Sequence, residues 1–237
     1  MGGVSRTICA MLASVVAFAA VTAQAAQAPI AIYATQSGKP AFDGDNFGGN
    51  PFASAFITAL GEGVGDDRAT LVETTLALAG GEQQPDLAQA ATGLDLAPKK
   101  RAMALVIVFA DYGDASDGFG SLPGAAFDAT SVRAALSRAG YRAKLAVVAN
   151  REDYLTRVTR FARDTRRADG AVLYTTGHGM EIAGETWLIP PGFDASDRVT
   201  PLAARAIQVR SLRESLGARE SNLIAYAGCR DNPLGLE

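Results

Sequence analysis

The feature that most constrains this chain is a pair of short apolar runs, each closed by glycine and a chemically useful side chain. Asn222 to Ala227 is aliphatic and aromatic, and it ends in Gly228-Cys229-Arg230-Asp231-Asn232-Pro233. Such a run reads as a buried strand, and the residues after it cannot continue a central strand. Fifty-one residues before Cys229 the arrangement repeats, with Ala171 to Thr176 followed by Gly177-His178-Gly179. His178 is the sole histidine, and the only other cysteine, Cys9, lies at the extreme N-terminus. Taken singly, a strand-end cysteine is commonly a small core residue, and a histidine between glycines commonly serves a turn. Together they occupy the carboxyl ends of two strands, where open α/β sheets build their sites. The pair reads as a thiol nucleophile with its acid/base partner.

The order of hydrophobic block, His178-Gly179, spacer, second hydrophobic block and Gly228-Cys229 resembles the caspase-like cysteine peptidases, including metacaspases and their bacterial relatives. The tail from Cys229 to Pro233 is similar to the bacterial branch, and the likeness to the large (p20-like) catalytic unit spans 101–233. The resemblance implies a three-layer α/β fold with a mostly parallel central sheet and helices on both faces. It implies that Cys229 attacks a peptide carbonyl and that His178 helps to form the thiolate and protonates the leaving amine. The N–H groups of Gly179 and Cys229 would hold the tetrahedral oxyanion. Relatives that cut after Arg or Lys usually carry an Asp two residues before the nucleophile, a position held here by Ala227. Asp43, Asp45, Asp111, Asp114 and Asp117 stand as substitutes, because a pocket carboxylate is the physical reason for choosing a cationic side chain.

The N-terminal part carries a second set of matches. Tyr33-Ala34-Thr35, Gly38, Asp43-Gly44, Asn50-Pro51-Phe52 and Gly80-Gly81 before Gln83-Gln84-Pro85 are similar, in that order, to the small (p10-like) unit that normally follows the nucleophile. On this resemblance the small unit, 29–85, precedes the large unit, 101–237, across a linker at 86–100. The two units form one domain, circularly permuted in a manner similar to type III metacaspases. Strand 30–35 is then expected to pair in parallel with strand 222–227, and loop 36–50 to hang over Cys229. Strand 102–110 is expected at the middle of the sheet. The edge strand that usually closes the small unit is hard to find in 86–98.

Local patterning supplies the remaining elements. Helices are expected over 51–60, over 67–79 with Asp66 or Asp67 as cap, over 124–139 stopped by Gly140, over 151–168 capped by Asn150, and over 202–217. A strand is expected over 141–149, and a hairpin over 182–190 with Trp187 packed on it. The loop 111–123 spaces its acids in a way similar to a calcium loop but lacks the closing glutamate of an EF-hand. It reads as a substrate-cleft loop, with calcium binding as the lesser reading, and no other cofactor or metal is expected.

Composition bounds what such a chain can do. At 237 residues and 48% hydrophobic content it has ample material for one core. A formal charge of -3 gives no footprint for nucleic acid, and the Arg-rich stretch 151–167 interleaves Tyr154, Leu155, Val158 and Phe161 at helical spacing, which reads as a solvated helix face. Residues 1–28 have the form of a secretory signal: Arg6, an apolar run from Ile8 to Val21, and Ala23-Gln24-Ala25 for cleavage. The run is short for a membrane span, which needs about 20 apolar residues. The expected location is periplasmic or secreted, with an uncleaved anchor as the lesser alternative, a peptide or protein substrate, no stable membrane association after cleavage, and a monomeric state. Once Cys9 leaves with the signal, Cys229 is an unpaired thiol in an oxidising compartment, a liability unless it is used. Two other readings use the same residues: a non-catalytic relative that binds peptides or partners, and a thiol-dependent acyl transferase.

Overall fold

The computed structural model describes residues 28–44, 49–62, 66–90, 93–113 and 119–235. The signal segment up to residue 27, and Asp45, Asp114 and Asp117, lie outside the described residues.

The chain enters through β1 (Ile30–Tyr33) and continues into α1 (Pro51–Glu62) and α2 (Asp67–Leu78). Asp66 caps α2 by accepting the Arg68 N–H, and Gly80 leaves it at φ 61°, a left-handed conformation that glycine adopts freely. The stretch 86–98 is tied down more than its polar look implies. Asp86 bridges Tyr33, a single 3-10 turn covers Ala88–Ala90, and Leu87, Ala90 and Leu96 are buried. That bridge stands where an edge strand of the N-terminal part was hard to find.

Alternation of strand and helix then follows: β2 (Ala102–Val108), α3 (Pro123–Ala139), β3 (Arg142–Val147), α4 (Arg151–Thr165) and β4 (Gly170–Thr176). Gly140 stops α3 at φ 109°, and the Asn150 side chain caps α4 through the Asp153 N–H. The hairpin β5 (Gly179–Ile182) and β6 (Glu185–Leu188) turns through Ala183-Gly184, both at positive φ as a tight hairpin turn requires. The expected helix 202–217 is not one helix. It divides into α5 (Leu202–Arg205), β7 (Ile207–Gln208) paired with β6, and a 3-10 segment Val209–Ser215. β-branched Ile207 suits the extended backbone of β7, and Ile207 and Val209 are both buried against the sheet and hairpin, so tertiary packing overrides the helical spacing. β8 (Ser221–Tyr226) closes the chain's main sheet.

That sheet is parallel throughout, in the order β1-β8-β4-β2-β3. β4, not β2, holds the middle. Its residues are all buried and it pairs on both sides, as those of β2 do, so the strand leading to His178 is held at both edges and on both faces. Side chains alternate between two cores. Val172, Tyr174, Leu223 and Ala225 join Phe52, Phe56 and Val132 on one face, while Leu173, Ile224 and Tyr226 join Tyr154, Val158 and Leu212 on the other. Helices α1 and α3 thus cover one face, and α4 with the 3-10 segment covers the other. This is the three-layer α/β arrangement expected. β1 lies beside β8 in parallel, Ile30 opposite Leu223 and Tyr33 opposite Tyr226.

Candidate active site

Parallel strands deliver their carboxyl ends to one edge of the sheet, and β4 and β8 are adjacent. Their ladder runs on past the regular strands: the Ala227 N–H donates to Thr175 O (2.9 Å) and the Thr176 hydroxyl to Ala227 O (3.2 Å). His178 and Cys229 then leave neighbouring strand ends. Glycine is what lets the two loops touch. A Cβ on Gly179 would overlap Tyr226 Oη and stand 2.7 Å from Cys229 O, and one on Gly228 would stand 2.7 Å from Gly177 O. Gly177 also sits at φ 153°, and a Cβ there would be 2.8 Å from Tyr112 Oη. A side chain at Gly179 or Gly228 would push the two loops apart, and one at Gly177 would displace Tyr112.

The imidazole is held from several directions. Nε2 lies 2.6 Å from Gly120 O, and because a carbonyl only accepts, Nε2 carries the proton. In the neutral ring Nδ1 is then left as the base. The ring lies between Tyr112 (centroids 4.6 Å apart, edge-on) and Phe119 (5.1 Å). The His178 N–H donates to Tyr112 Oη (2.9 Å), whose own hydrogen goes to Ile189 O (2.7 Å), and Ile189 N–H donates back to His178 O (2.8 Å). This closed ring of bonds fixes the loop between β4 and β5. Burial lowers the His178 pKa from its ordinary 6.5; the Gly120 carbonyl and the Asp43 carboxylate act the other way.

Cys229 is partly buried and unpaired with any other cysteine. The Ala41 N–H donates to its Sγ (3.3 Å), and the thiol in turn faces Ala41 O (3.4 Å). Loop 36–44 therefore lies on the sulfur, as expected of 36–50. Burial pushes the thiol above its ordinary 9.0, the Ala41 N–H opposes this, and the Asp231 and Asp43 carboxylates add to it. Tyr226 Oη donates to Cys229 O (3.2 Å) and sets the path of the loop that carries Cys229.

Of the candidate pocket acids, Asp43 is the one the described structure brings to the pair, since its charge acts on both His178 and Cys229. Its own carboxyl is raised by burial, with His178 opposing. Asp111 instead braces its loop, accepting the Gly113 N–H (3.0 Å) and the Ser121 hydroxyl (3.1 Å). Among the described residues no group of three His, Cys, Asp or Glu side chains could hold a metal ion.

Sequence reasoning missed the residues that organise this site without reacting. Gly120 and Ala41 act through backbone atoms, which leave no trace in residue type. Arg230 had been read only as part of a tail. It is buried, forms ion pairs with Glu181 (2.7 Å) and Asp86 (2.7 Å), donates to Thr35 O, and lies over the Tyr33 ring at 4.4 Å. Its N–H donates to Lys39 O, and Glu181 also accepts from Ser37. An arginine placed directly after the cysteine, where buried carboxylates are scarce, was the available signal.

Comparison with known proteins places residues 101–233, more than half of the 237-residue chain, in the family described as the caspase domain, peptidase C14. No curated protein matches the chain.

Proposed function

The chain belongs to the caspase domain family, and on that premise we propose that it is a cysteine endopeptidase whose nucleophile is Cys229 and whose acid/base is His178. The observation that carries this reading is the interlock of Gly179 with Cys229 and of Gly228 with Gly177, which sets the two side chains' loops in contact. In the free enzyme the thiol and imidazole are both neutral at pH 7, because burial raises one and lowers the other. Proton transfer from Sγ to Nδ1 then accompanies attack on the peptide carbonyl, giving a thioester after the imidazolium protonates the leaving amine. The Gly179 and Cys229 N–H groups receive the oxyanion. Water enters by the same proton path in reverse roles, releasing the acid and restoring the thiol.

Asp43 is our choice for the acid that selects a cationic residue before the cleaved bond, since it alone of the described candidates is electrostatically coupled to both dyad members. The parallel pairing of β1 with β8 supports a permuted order in which a small unit, 29–85, precedes the large unit, 101–237, within a bacterial metacaspase-type branch. Export by residues 1–28, to periplasm or medium, completes the proposal, and fractionation of the expressed protein tests it.

One observation favours the non-catalytic alternative: the thiol is engaged by both backbone groups of Ala41. A peptide-library cleavage assay separates the two. Cleavage that falls on the order of 100-fold or more in Cys229→Ala and in His178→Ala supports the peptidase. Undiminished cleavage in Cys229→Ala overturns it.

A further inference from the structure

The sheet has two edges, and they are treated differently. On the β1 side, Asp86 bridges Tyr33 and Gln89 Oε1 accepts the Ala31 N–H. On the β3 side, no strand among the described residues pairs with the outer edge. An open edge offers unpaired N–H and C=O groups to any extended chain. β3 alternates in a way that would grade such a chain. Lys144 and Ala146 turn toward the α4 layer, where Ala146 packs. Ala143, Leu145 and Val147 turn toward the α3 layer, where Ala143 packs. Leu145 and Val147 are nevertheless 37% and 60% exposed, and Phe127 on α3 is 58% exposed. The α4 side is cationic on balance: a groove of about 100 Å³ between β3 and α4 is lined by Lys144, Arg157 and Arg160 against the single carboxylate of Asp164, with Leu145 and Phe161 among its apolar members. Arg160 has no carboxylate partner among the described residues, Arg157 meets only Asp153 of its own helix, and Lys144 meets Asp164 at 3.8 Å.

We propose that the β3 edge and the β3–α4 groove dock an extended segment of another protein in which acidic and apolar side chains alternate. Its acidic side chains meet Lys144, Arg157 and Arg160, its apolar ones cover Leu145 and Val147, and its backbone adds a strand to the sheet. Charge complementarity selects this occupant over a second copy of the chain. Two β3 strands paired antiparallel about a two-fold would bring a second set of Lys144, Arg157 and Arg160 to the same face, whereas an acidic segment supplies the opposite charge. The proposal is independent of the peptidase reading, because none of these residues belongs to the site of Cys229.

The test uses the full chain carrying Cys229→Ala, so that no peptide is consumed, and a fluorescent six-residue peptide of alternating Val and Glu, matched to the length of β3. Binding is read by anisotropy and located by amide hydrogen exchange. Expected are saturable binding that weakens with salt, slowed exchange at 142–147, no comparable binding of the Val/Lys peptide, and a loss of about tenfold or more in Lys144→Glu/Arg160→Glu. The pair Lys144→Gln/Arg160→Gln serves if the charge-reversed chain melts early. Failure of the Val/Glu peptide to bind, equal binding of the Val/Lys peptide, or indifference to these substitutions overturns the proposal. So does protection of 142–147 without peptide in a sedimenting dimer, which assigns the edge to a second copy. Binding to anionic vesicles with no protection by the peptide assigns the face to a lipid surface, and equally overturns it.

Discussion

At the scale of single residues, the chemistry depends on two pKa values moved in opposite directions by the same cause. Burial lowers His178 below 6.5 and raises Cys229 above 9.0, so a thiolate–imidazolium pair does not stand ready at neutral pH. The acid limb of kcat/KM, on which the imidazole must be neutral, is therefore expected to have its midpoint below 6.5. Alkylation of the free thiol by iodoacetamide is expected to titrate above 9.0. Asp43 raises both groups, so Asp43→Asn should shift both midpoints downward. The same substitution should lower kcat/KM for substrates with Arg or Lys before the cleaved bond by roughly 1–3 kcal/mol, while neutral substrates change little. Unmoved midpoints would detach Asp43 from the dyad; an unchanged preference for cations would remove it from the pocket.

At the scale of elements, Arg230 is the joint between the two halves of the chain. It follows Cys229, yet its partners are Glu181 on β5, Asp86 beyond α2, and the carbonyls of Thr35 and Lys39 after β1. Removing one member of a buried ion pair leaves the other charge uncompensated, at a cost of about 3–5 kcal/mol. Arg230→Ala is expected to lose that much in urea unfolding, and the double replacement Arg230→Met/Glu181→Met much less. Equal losses in the two would mean that shape, and not charge, matters at this joint. The same scale shows what was legible in advance. The apolar runs at 171–176 and 222–227, the caps at Asp66 and Asn150 and the stop at Gly140 are local signals, and each stands in the structure. The segment 202–217 was misread because its apolar spacing suits a helix, while its real partners, β6 and the sheet, are distant in sequence. The middle place of β4 was likewise invisible, since strand order is a long-range property. At the site, His178 and Cys229 could be found by residue type, whereas Gly120 and Ala41 contribute only backbone atoms.

At the scale of the whole molecule, 28–90 and 101–235 share one sheet and the cores on its two faces. β1 covers the edge of β8, and Phe52 and Phe56 from α1 fill the cluster that receives Tyr174 and Val132. A chain beginning at residue 101 should lose cooperative unfolding, because it bares the β8 edge and that cluster. Adding the 28–100 segment in trans should restore it; a sharp, unassisted transition in 101–237 would show that the catalytic half stands alone. The proposed peptidase depends on Cys229 acting as a nucleophile activated by His178. The most direct measurement is mass-spectrometric mapping after treatment of the full chain with a peptidyl electrophile ending in arginine. A single adduct on Cys229 is expected, blocked by competing substrate and slowed on the order of 100-fold in His178→Ala. An adduct on any other residue, or labelling of Cys229 at the same rate without His178, would contradict it.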